Sequence, residues 1–94
     1  MSEETPEYLN YNDNGTCDIT LVRPTSVNGV EQSTLRMREA TVEDQILHDE
    51  MSGSDAKREV AMFANLLEIS PDDIRRLPLK SYQRLQEAYA GFLN

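Results

Sequence analysis

Tryptophan is missing from this 94-residue chain, and cysteine and histidine occur once each. The lone thiol, Cys17, has no partner for an intramolecular disulfide, so a reducing, cytoplasmic address is the expectation. One histidine and one cysteine cannot supply the usual side-chain ligands of a zinc site, and neither belongs to a recognisable nucleophile–base pair. His48 is followed by Asp49 and Glu50, which predicts an exposed helix end. Asp72-Asp73 is no carboxylate pair for acid–base work, because adjacent helix residues do not face one site and capping accounts for both. No glycine-rich phosphate loop is present. No apolar run approaches the roughly 20 residues needed to span a bilayer, and Met1-Ser2-Glu3-Glu4-Thr5-Pro6-Glu7 is the opposite of a signal peptide. Positive charge is scarce, with 9 Lys and Arg against 17 Asp and Glu and a net charge of −8. Nucleic acid and anionic membrane surfaces repel such a chain before any contact forms. No catalytic residue, cofactor or metal is therefore expected.

What is present divides unevenly. A chain this short supports one core, burying roughly two-thirds of its unfolded surface, without room for a deep substrate cavity. Residues 1–17 hold Glu3, Glu4, Glu7 and Asp13 against no Lys or Arg, so half of the net charge sits in a polar leader with Pro6, Gly15 and several Asn. That composition predicts disorder. The remainder, residues 18–94, reads as a single domain of class α+β: an N-terminal antiparallel β-hairpin followed by a bundle of three to four short α-helices.

The hairpin rests on two alternating runs, Asp18 to Arg23 and Thr34 to Arg38, with Asn28-Gly29 between them. A two-residue turn at Asn28-Gly29 would pair Val22 with Leu35 and place Ile19 opposite Arg38, mixing apolar and charged residues on both faces. A three-residue loop, Val27-Asn28-Gly29, pairs Leu21 with Leu35 and Ile19 with Met37 and gives one apolar face, so it is the predicted register. Pro24 cannot donate to a ladder and implies an edge or a bulge.

Helical signals follow. Thr41-Val42-Glu43-Asp44 is a capping box with Asp as its acid, and Val42, Ile46 and Leu47 mark one face up to Gly53. A second, central helix fits Ser54 to about Leu67, with Ala56, Val60, Phe63, Ala64 and Leu67 at helical spacing. Ser70-Pro71-Asp72-Asp73 opens a short third helix that Pro78 ends. The last runs from about Leu79, with Tyr82, Leu85, Tyr89 and Phe92 on one stripe.

Candidate partner-binding residues come from three places. Arg36 and Arg38 share the hairpin's outer face with Thr20 and Val22. They form either a solvated sheet face, Arg38 pairing with Asp44, or an anchor for an acidic or helical partner. Tyr8, Leu9 and Tyr11 are the apolar spot of the leader, either disordered or docked on this chain's own core or a partner. The stripe Tyr82, Leu85, Tyr89 and Phe92 is either core or, with the groove toward the helix at 54–67, a receptor for an amphipathic helix. Arg75, Arg76, Lys80 and Arg84 cluster around Pro78, but the acidic field opposes a helix-turn-helix reading.

The order Ile19-Thr20-Leu21, Arg23-Pro24, Asn28-Gly29 and then Leu35-Arg36-Met37-Arg38-Glu39-Ala40-Thr41-Val42-Glu43-Asp44 resembles the small tail assembly chaperones of tailed bacteriophages, the Mu-like and P2-like group. The resemblance continues through Val60 to Leu67, Glu68-Ile69-Ser70-Pro71, Ile74 to Leu77 and Tyr82 to Phe92, covering residues 18–94. It departs at Ser81, where Asp is expected, and at Glu68-Ile69, where a Gly-hydrophobic pair is usual. The resemblance implies a non-enzymatic chaperone in the host cytoplasm, absent from the mature virion. Its implied partner is the tape measure protein, whose helical, apolar segments it keeps soluble until tail tube subunits displace it. Contact with the tail tube protein and self-association are left open. Two alternatives stand beside it, an acidic regulator that mimics nucleic acid and a minor virion structural protein. Arg and Lys interspersed through residues 57–84 disfavour the mimic.

Overall fold

The computed structural model describes residues 5–94, in the order β1 (Leu9–Tyr11), β2 (Thr16–Val27), β3 (Val30–Arg38), α1 (Val42–Glu50), α2 (Asp55–Leu67), α3 (Pro71–Arg75) and α4 (Leu79–Phe92). The strands form one antiparallel sheet in the order β1-β2-β3, so the α+β class stands with one strand more than the predicted hairpin. That strand comes from the leader predicted to be disordered. Residues 1–4 lie outside the described residues, but Leu9 pairs with Ile19 and Tyr11 with Cys17. Average polarity hid a short alternation in which Leu9 is buried and Asn10 exposed.

The turn corrects the predicted loop. Asn28 (φ 55°) and Gly29 (φ 79°) are both left-handed, and Val27 pairs with Val30 across a two-residue turn. Two successive positive φ values are what a type I′ hairpin requires, and Asn-Gly is its preferred pair. The register is then broken further along. Thr25 pairs with Gln32, but Thr20 pairs with Thr34, so β2 runs through residues 21–24 while β3 advances by Ser33 alone. Ile19 therefore meets Leu35, not Met37, and Cys17 meets Met37. The displacement is two residues, which leaves side chains on the same side of the pleat. Cys17, Ile19, Leu21, Leu35 and Met37 accordingly share the buried face. Pro24 sits in the irregular stretch, where its missing N–H costs no ladder bond.

Helix side chains bond to the backbone of the irregular stretch, of its edge and of the turn. Ser81 Oγ, fully buried, accepts from the Val22 amide at 3.0 Å. Asp73 Oδ2 accepts from the Asn28 amide at 3.1 Å, and Arg84 donates to the Thr20 carbonyl at 2.8 Å. A buried amide left unpaired costs about 1–3 kcal/mol, so these contacts fix α3 and α4 to the hairpin.

Against the apolar face, α2 lays Met62, Phe63 and Leu66, and α4 lays Leu85 and Ala88. Ser54 caps α2 by accepting from the Lys57 amide at 3.2 Å. At its other end Glu68 takes a left-handed conformation (φ 57°) and Ile69 donates to the Ala64 carbonyl at 3.0 Å. This is the geometry of a glycine cap built with a residue that carries a Cβ, at a strain of about 1 kcal/mol. Ser70 caps α3 by accepting from Asp72, with Pro71 in its first turn.

Candidate functional site

Helix α1 is turned inside out relative to its sequence pattern. Val42, Ile46 and Leu47, the residues that mark its apolar face, are 78%, 46% and 43% exposed, while Asp44 is buried. The cause is a carboxylate with more donors than any apolar row can outweigh. Arg38 reaches Asp44 with both terminal nitrogens, at 2.7 and 3.0 Å, and Asn65 of α2 donates at 2.9 Å. The Thr41 amide donates at 2.7 Å and Thr41 Oγ1 at 3.1 Å, and the Asp44 amide returns a bond to that hydroxyl. The guanidinium and the amide hold the Asp44 carboxyl far below the usual carboxylate range against the opposing effect of burial. Of the two readings of Arg38, the pairing with Asp44 is the one found.

Beside this face lies a cleft of about 230 Å³ between α1, α2 and α4. Gln45 and His48 of α1 form one wall, Asp55 and Glu59 the acidic rim, and Met62, Phe63 and Tyr89 the apolar floor. His48 is half-buried, not on an exposed end as its acidic neighbours suggested, because its side of α1 is the side turned to α2. Glu59 accepts from Tyr82 Oη and from Gln86 at 2.8 Å, and burial together with that carboxylate raises the Tyr82 phenol above its ordinary value.

The aromatic stripe of α4 divides among three neighbours. Leu85 is fully buried in the core. Tyr82 and Tyr89 each place a ring 5.7 Å from that of Phe63, and Phe92 meets Tyr11 edge-on at 5.2 Å. Tyr82 also lines a second, more apolar cleft with Val60, Ile74, Leu77 and Leu79. Tyr8 and Tyr11 dock on this chain's own α4, as one of the readings of that spot had it. Tyr8 Oη donates to Glu87 at 2.8 Å and its ring lies 4.0 Å below the Arg84 guanidinium, and the carboxylate bond raises its phenol pKa. Tyr11 donates to the Ala88 carbonyl at 2.8 Å, and burial pushes its phenol up to about 12. On the opposite, outer face of the sheet Arg36 stays exposed and pairs with Asp18 at 2.7 Å, which lowers the Asp18 carboxyl. The basic cluster is dispersed, with Arg76 on Asp73 and Arg84 on Tyr8.

Tyr11 owes its place to a glycine. A Cβ on Gly91 would coincide with the Tyr11 hydroxyl, so close packing demands a bare backbone there. Gly91→Ala is expected to push Tyr11 off Ala88 and loosen β1, and amide exchange should speed up at Leu9 to Tyr11 and little elsewhere. Helix propensity alone would make the same change stabilising by about 1 kcal/mol, so the sign of the stability change checks the contact.

Among the described residues there is no cluster of His, Cys, Asp and Glu suited to a metal ion, and no helix long and apolar enough to cross a membrane. An α+β domain that fixes an apolar, acidic helix face outward has the surface of a binding protein. Residues 18–94 match the family described as phage tail assembly chaperone proteins, E, or 41 or 14, and the chain belongs to that family. No curated protein and no solved structure matches the chain. A chaperone of tail assembly has phage tail proteins as its partners.

Proposed function

We propose that this chain is a non-enzymatic chaperone that binds helical, apolar segments of the tape measure protein in the host cytoplasm and keeps them soluble until the tail tube polymerises. The observation that carries this reading is the outward apolar face of α1, which a domain with no partner has no reason to hold in water. Of the two clefts, the one lined by Tyr89 has Gln45 and His48 of α1 as a wall, and the one lined by Tyr82 lies away from α1, between α2, α3 and α4. A net charge of −8 keeps a coated rod self-repelling and soluble. Several weak contacts along one long client suit later displacement by tube subunits, since each is released separately.

Co-expression with the tape measure protein of the same phage tests this. The soluble fraction of the long protein should rise several-fold, and purified virions should contain none of the chaperone by mass spectrometry. Unchanged solubility overturns the reading.

A further inference from the structure

We infer that the outer face of α1 seats a cationic amphipathic helix of the client, an inference that rests on the chaperone reading and specifies its surface and the chemistry of its partner. Val42 and Ile46 stand one turn apart and Leu47 occupies the next row, which is the spacing that receives a helix laid alongside. The face cannot escape water by rolling inward. Burying Ile46 and Leu47 would drag the Asp44 carboxylate away from Arg38, Thr41 and Asn65. An apolar surface held outward by a buried ion pair is a preformed docking site, and preformation lowers the ordering cost of binding.

Charge selects the occupant. Glu43 and Glu50 lie two turns apart on the angular sector between Ile46 and Leu47, both exposed, and no described hydrogen bond or ion pair engages either. Asp49 is also exposed on this helix, and α1 contains no Lys or Arg. The Val42–Ile46 ridge and Leu47, with a row of unpaired carboxylates between them, fit a helix whose own apolar row is flanked by Lys or Arg. A second copy presenting its own α1 would set acids against acids, and an acidic helix would be repelled.

The probe is a fluorescent designed peptide, helical and amphipathic, built of leucine and lysine, with a leucine–glutamate counterpart as control, titrated by anisotropy into the full chain. The lysine peptide should bind and the glutamate peptide should not. Ile46→Ser should weaken the lysine peptide about tenfold with little change in melting temperature, whereas Leu93→Ser, exposed just past the end of α4, should leave it unaltered. The double variant Glu43→Lys, Glu50→Lys should exchange the preference and take up the glutamate peptide. Equal binding by wild type and Ile46→Ser overturns the inference. So does concentration-dependent self-association that Ile46→Ser abolishes, which would assign the face to a second copy. In the co-expression assay the two ideas separate. If wild type and Ile46→Ser protect the tape measure protein equally, only the α1 seat fails; if wild type does not protect it, the chaperone reading fails.

Discussion

Replacing Asp44 with alanine is expected to cost about 3 kcal/mol, a large part of the 5–15 kcal/mol that holds a domain of this size. The Asp44 side chain is 5% exposed, and its loss strands the Thr41 amide, the Asn65 amide group and the Arg38 guanidinium together. Arg38 remains a third exposed and recovers some hydration, which places the cost at the low end of the range for broken buried pairs. Asp44→Asn keeps the shape and one acceptor but removes the charge that Arg38 needs, so it should fall between. With no tryptophan in the chain, far-UV circular dichroism in urea is the suitable reading. Acid provides an independent check. The carboxyl is depressed in the folded state from an unfolded value of about 3.9, so its contribution is complete above that value and is lost as pH falls toward the folded one. The stability gap between wild type and Asp44→Ala should therefore be constant near neutrality and close progressively below about pH 4.

The same residue shows where the sequence is legible and where it is not. Local signals were dependable: the Thr41 box, the Ser54 and Ser70 caps and the Pro78 break all lie where the helices start and stop. Each depends on atoms within a few residues, and a short window contains them. Orientation was not dependable. Apolar spacing in α1 marks Val42, Ile46 and Leu47 as one face without saying which way it turns, because Asn65 lies 21 residues beyond Asp44 and no periodicity reports that partner. The pairing of Arg38 with Asp44 was readable as an option, yet its consequence for the helix face was not.

Register failed for a related reason. Pro24 implies an edge or a bulge but nothing local gives the size of the irregularity, so the two-residue Asn28-Gly29 turn reads as one that mixes the faces. The turn and the irregular stretch are held by side chains from α3 and α4, Asp73 on the Asn28 amide and Ser81 on the Val22 amide, which are 45 and 59 residues away. Asp73 read as a dipole-complementing acid, and Ser81 as a departure from a family pattern. The candidate site was half legible. Tyr89 is a candidate from the sequence and lines a cleft, whereas no residue of α1 is among the sequence candidates.

Phe63→Ala should produce the largest loss, about 3–5 kcal/mol, because Phe63 is 1% exposed at the junction of every layer. Tyr82 and Tyr89 rest on its ring, and it forms part of the floor of the cleft behind α1. Truncation would join the new cavity to that cleft and admit water beneath α1, so the site cannot heal by collapse. At about 4–8 °C per kcal/mol the melting temperature should drop by more than 10 °C, while Phe63→Leu, which retains most of the apolar volume, should lose far less. Partner binding should decline only as folding does, and lowering the temperature should restore both. Ile46→Ser reverses that pattern, with stability largely kept and binding weakened, because Ile46 is 46% exposed where Phe63 is 1% exposed. Melting and peptide titration on this pair of variants thus separate the core that shapes α1 from the face that α1 presents. A Phe63→Ala protein that melts normally but no longer binds would place the cleft floor, not the α1 ridge, against the client.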